Sequence, residues 1–123
     1  MNYKTTKQHF ELFKRYFKHY QDLFELNNYQ IHFFHQKGGK WYAEITTNQI
    51  GHCSRVTFNT TWIERGPTED KIRKDALHEC CHLLISKLEW LAGCRYLDEV
   101  EIDETQEELV VKMASAIERL TKK

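Results

Sequence analysis

The sequence predicts an α+β fold: an N-terminal helix, a small, mostly antiparallel sheet of about three strands, a long central helix and a C-terminal helix. Three observations carry this. Apolar residues recur at three- and four-residue steps near both ends of the chain. The stretch from Tyr29 to Trp62 is rich in aromatic and β-branched residues and is broken by glycine and asparagine pairs. Between that stretch and the last segment lies a long run with a threonine cap signal at its start and a glycine at its end. At 123 residues the chain is one domain with one core.

The first helix is expected over Thr6 to Leu26. Phe10, Phe13, Phe17, Tyr20 and Phe24 form its apolar stripe, with Lys14, Arg15, Lys18 and Asp22 off it. Thr5 or Thr6 caps its start and Asn27-Asn28 ends it. Strands follow at Tyr29 to His35, Trp41 to Thr47 and Arg55 to Trp62, separated by turns at Gly38-Gly39 and Asn48 to Gly51. In the last strand Val56, Phe58, Thr60 and Trp62 share a face. Connections this short argue for antiparallel pairing, since parallel neighbours need a crossover.

Gly66-Pro67 breaks the chain. Thr68 is the N-cap of the central helix, and Glu69 and Asp70 sit in its first turn, where the helix dipole favours them. The helix runs to Ala92 with Gly93 as its C′ residue. Leu77, Cys80, Leu84, Leu88 and Leu91 form its main stripe, flanked by Cys81 and Ile85. The last helix spans Glu104 to Leu120, with Leu109, Val110, Met113, Ile117 and Leu120 facing inward.

Eighteen basic and eighteen acidic side chains cancel, which argues against nucleic-acid binding by bulk charge. The 41% hydrophobic and 29% charged content is that of a soluble globular domain. No apolar run is long enough for a membrane span, and the first ten residues lack the apolar region of a secretory signal. A cytoplasmic protein with reduced thiols at Cys53, Cys80, Cys81 and Cys94 is expected; Cys80 and Cys81 are adjacent, and there is no CxxC pair.

The central helix carries His78-Glu79-Cys80-Cys81-His82, an HExxH motif. Two histidines at i and i+4 stand one turn apart on one face, so both imidazoles reach one zinc ion. Glu79 lies beside them, where it can act as general base on a zinc-bound water. The competing reading is a pair of ordinary helix histidines, which leaves buried polar groups in need of partners. A catalytic zinc needs a third protein ligand, and no histidine follows His82. The acidic stretch Asp98 to Glu108 must supply a carboxylate. On helical geometry Glu107 is favoured, with Glu104 and Asp103 as alternatives. The other histidines read as ordinary: His9 and His19 on the first helix, His32 and His35 on opposite faces of a strand, His52 at a turn. Cys80 packs with the leucine stripe as an inert thiol, and Cys81 lies nearer the metal side.

This arrangement resembles the minimal gluzincin-type zinc metallopeptidase core. The last helix, ETQEELVVKMASAIERL, is similar to the glutamate-bearing helix of ImmA/IrrE-type domains, with Glu107, Val110, Met113 and Ala114 in the matching places. The compact size is similar to SprT-like and phage-encoded zincin domains. The resemblance implies His78, His82 and Glu107 as zinc ligands, Glu79 as general base, and a protein or peptide as substrate. It also implies that a strand near the central helix holds substrate in extended form, for which Arg55 to Thr61 is the expected segment. Tyr96, Tyr42 and Arg55 are candidates to assist the oxyanion. The alternative is a non-catalytic zincin-like binding or regulatory module that keeps zinc for structure. A metal-free core domain is the third reading.

Overall fold

The computed structural model describes residues 2–94 and 98–121. In chain order the elements are β1 (Asn2–Lys4), α1 (Lys7–Leu23), β2 (Gln30–Gln36), β3 (Ala43–Asn48), β4 (Cys53–Asn59), β5 (Thr61–Ile63), α2 (Glu69–Ala92) and α3 (Glu99–Thr121). The α+β class is as the sequence predicts. Among the described residues no helix is long and apolar enough to cross a membrane.

Thr6 caps α1 through a capping box in which His9 takes the usual glutamate's place: the His9 N–H donates to Thr6 Oγ1, and the Thr6 N–H donates to His9 Nδ1. The helix ends three residues before the expected Leu26. Glu25 enters the left-handed region at φ 57°. The N–H groups of Glu25 and Leu26 turn back to the carbonyls of Asp22 and Gln21, the paired bonds of a Schellman closure.

The expected sheet is there, but its pairing differs. Strand order is β2-β4-β3. β3 runs antiparallel to β4, while β2 runs parallel to it, from Gln30 opposite Cys53 to Gln36 opposite Asn59. A parallel pair needs a return path, and β3 itself provides it: the chain rises in β2, descends on the far edge and rises again between the two. β4 is therefore the central strand. A second pair, β1 with β5, is antiparallel and was not expected. The strand predicted as continuous to Trp62 breaks at Thr60. There the buried Asn59 side chain accepts from the N–H groups of Gly38 and Thr61 and donates to the carbonyls of Gly39 and Trp41. All of its bonding capacity goes into the bend and the β2–β3 loop.

Val56, Phe58 and Trp62 do share one buried face. With Phe13 and Phe17 of α1 and Ile72, Ala76, Cys80 and Leu83 of α2 they make the core, all fully buried. Phe13 tilts onto Phe58 at 4.9 Å and Phe17 meets Phe33 edge-on at 5.4 Å, so α1 is fixed to the sheet by ring contacts.

The bounds of α2 match the prediction, with Thr68 Oγ1 accepting from the Lys71 N–H. Gly93 stays right-handed at φ −89° and closes the helix with ordinary turn bonds rather than as a left-handed C′ residue. The seam of α2 runs through Ile72, Ala76, Cys80 and Leu83; of the expected stripe Cys80, Leu84 and Leu91 are buried and Leu77 and Leu88 half-buried, and the histidine side is open rather than buried.

The expected inner face of α3 is corrected. Thr105 and Ala116 are the buried positions and Leu109 packs against the core, whereas Val110, Met113, Ile117 and Leu120 are 48–59% exposed. The helix carries two apolar stripes at helical spacing, and the less apolar one, with its small residues, is the one that lies against the domain.

Candidate metal centre

The face of α2 that turns from the core carries His78 and His82, with side chains 68% and 47% exposed. One helical turn separates them, and their Nε2 atoms are 3.2 Å apart. Two imidazole nitrogens on one tetrahedral zinc, each about 2.0–2.1 Å from the ion, stand about 3.4 Å from each other. The rings, 4.8 Å between centroids and 79° between planes, thus converge their Nε2 atoms at nearly the separation a shared ion requires.

Glu79 lies beside this pair, its Oε2 4.0 Å from His78 Nε2, with its side chain only 9% exposed. Burial pushes its carboxyl up to about 7, aided by the nearby charges of Asp75 and Glu44 and opposed by the Ile45 N–H that donates to it. That donor comes from β3. Tyr42 O accepts from Asn59 N at the start of the β3–β4 ladder. In antiparallel alternation the backbone groups of Ala43, Ile45 and Thr47 then point away from β4, along the free edge of the sheet.

This edge and α2 enclose a cleft. A cavity of about 600 Å³ is bounded by Trp41, Ala43, Glu44, Ile45 and Thr47 on the strand side and by His78, Glu79, His82, Ser86, Glu89 and Trp90 on the helix side. A smaller one of about 210 Å³ adjoins it past Glu79, bounded by Trp41, Tyr42, Ala43, Asp75 and His78. The larger opens onto both histidines and the smaller onto His78.

Surrounding groups hold the walls. Arg65 grips Asp75 with both carboxylate oxygens at 2.7 and 2.8 Å and stacks on Tyr42. Burial raises the Asp75 carboxyl while Arg65 draws it down. At the other end Tyr29 donates to Gln49 Oε1, Gln49 Nε2 donates to Ser86 Oγ, and Ser86 donates to the Leu83 carbonyl. That buried chain ties the β3–β4 turn to α2 one turn beyond His82. Glu89 places Oε1 3.8 Å from His82 Nδ1, on the side of the ring opposite Nε2.

The fold brings together His78, Glu79 and His82 as the motif requires. It does not bring the acidic start of α3 to them. Asp103, Glu104 and Glu107 are exposed and line neither cavity. Among the described residues no three histidine, cysteine, aspartate or glutamate side chains group as a metal site. The donors present, two convergent imidazoles, fit part of a zinc site.

Two further expectations change. Of the strand segment Arg55 to Thr61, Arg55 to Asn59 has no free edge, because β4 is flanked by β2 and β3; the free edge at the cleft belongs to β3. Arg55 bonds Gln36 and stacks on Phe34, away from the cleft. Tyr42 lines the smaller cavity but donates its hydroxyl to the Ile63 carbonyl. Tyr96 lies outside the described residues. Cys80 is sealed in the core, where burial raises its thiol far above the usual range, as an inert thiol requires, and Cys81 is exposed.

Glu44, Glu89, Ser86 and Gln49 escape sequence reasoning. Glu89 alone leaves a trace, at two turns from His82 on the same face. The chain matches no protein-family model, no curated protein and no solved structure.

Proposed function

We propose that the protein is a zinc-dependent metallopeptidase that cleaves an extended protein segment lying along β3. The observation that carries this is the convergence of the His78 and His82 Nε2 atoms at 3.2 Å over a cleft whose opposite wall is an unpaired strand edge. Zinc held by these imidazoles supplies Lewis-acid polarisation of the scissile carbonyl and acidifies water at neutral pH. The chain's own residues do the rest. The outward backbone groups of Ala43 and Thr47 pair with the substrate backbone by strand addition. Glu79, raised to about 7, takes the proton of the attacking water and delivers it to the leaving amine. Glu89 adds negative charge 3.8 Å from the His82 ring. The third ligand assigned from the sequence is Glu107, with Glu104 and Asp103 as alternatives.

The placement of those three carboxylates off the cleft favours a second reading, a non-catalytic binding or regulatory module. Glu79→Gln separates the two. For the peptidase, turnover of an unfolded protein substrate drops by at least about a thousandfold, while zinc content and melting temperature hold. Unchanged activity, or no activity in the zinc-loaded wild type, overturns the proposal.

A further inference from the structure

The chain is neutral as a whole, yet its cleft is not. Glu44, Asp75, Glu79 and Glu89 line the two adjoining cavities, and among the described residues no lysine or arginine lines either. Asp75 is already paired with Arg65. Glu79 lies beneath the cleft floor and takes the Ile45 N–H. Glu44 and Glu89 remain, both exposed, one on the strand wall and one on the helix wall. Among the described residues Glu44 forms no ion pair, and Glu89 meets only the His82 ring. Trp41 and the half-exposed Trp90 add flat aromatic walls beside them.

A strand added to β3 sends successive side chains to opposite sides. Those beside the scissile bond then meet walls that offer carboxylates and indole faces. Long cationic side chains satisfy both, since their stems lie on aromatic surface and their heads pair with carboxylates or stand over the rings. A dication at the histidines offsets charge at the centre of the cleft, so the selection acts on the flanking side chains. Resting on the reading of the cleft as a peptide site, we infer that the substrate is a basic segment, with lysine or arginine flanking the cleaved bond and facing Glu44 and Glu89.

The test uses the zinc-loaded Glu79→Gln protein and three labelled peptides, identical except for lysine, glutamine or glutamate at the flanking positions, with binding read by fluorescence anisotropy at low salt. The lysine peptide binds about fivefold to tenfold tighter than the glutamine peptide, and the glutamate peptide weakest. High salt erases the difference. Adding Glu44→Gln reduces the lysine preference to about twofold or less; this is the cleaner variant, because Glu89 also faces His82. Equal binding of the three peptides, a preference that survives Glu44→Gln combined with Glu89→Gln, or no binding of any peptide overturns the inference. Cleavage assays with the wild type separate it from the peptidase reading. Charge-blind cleavage sinks the basic-substrate inference alone, and lysine-selective binding without cleavage sinks the peptidase alone.

Discussion

His35 shows how a single side chain joins distant parts of this fold. Its ring stacks on Phe10 at 4.9 Å, and its Nε2 is 2.7 Å from Thr5 Oγ1. That hydroxyl spends its proton on the Asn59 carbonyl, so the imidazole must be the donor. Burial lowers the His35 pKa from its ordinary value, and His9 nearby adds to the effect. The unfolded chain therefore takes up this proton more readily than the folded one. The contribution is present above about pH 6.5 and is lost as pH falls through and below that value. Thermal melts between neutral and mildly acidic pH should show a steeper loss of stability for the wild type than for His35→Phe, which keeps the stack and cannot titrate. Parallel slopes would remove His35 from the account.

At the scale of elements, α3 offers the sharpest check on packing. Ile117 is 59% exposed and Ala116 is 2% exposed, although they are neighbours. Ile117→Lys should change unfolding free energy by less than about 0.5 kcal/mol in urea titrations. Ala116→Leu should cost about 1–3 kcal/mol by overpacking the contact. The reverse order would mean that α3 seats on its other stripe. The same helix shows where sequence stops being legible. The bounds of α2 follow from local signals, Thr68, Glu69 and Gly93, and these could be read directly. So could the His78, Glu79 and His82 constellation, because one helical turn fixes it. The choice between two apolar stripes on α3 depends on the shape of a distant surface, and small residues won over larger ones. The central position of β4 likewise depends on where β3 turns back, which no local pattern encodes. The cleft's far wall is illegible for that reason: Arg55 to Thr61 has strand character, but the free edge is a property of strand order.

For the whole molecule, the core sits on one side of α2 and the histidines on the other. Phe13, Phe17, Phe58 and Trp62 close without help from any ion. On the proposed zinc reading, chelator treatment of the zinc-loaded protein should then lower the melting temperature but leave a cooperative transition and an unchanged far-ultraviolet circular dichroism spectrum. Collapse of the helical signal on chelation would instead place the metal among the folding determinants, as in small domains that are unfolded without it.

The open edge of β3 has a cost in solubility as well as a use. A row of unpaired backbone groups will accept any extended chain, including the same strand of a second molecule, and such edges seed aggregation. Here Glu79 already occupies the Ile45 N–H, Glu44 stands on the strand itself, and two copies brought edge to edge would press like charges together. The acidic lining thus acts as a guard: it lets the molecule keep a sticky edge exposed while discouraging it from polymerising on itself.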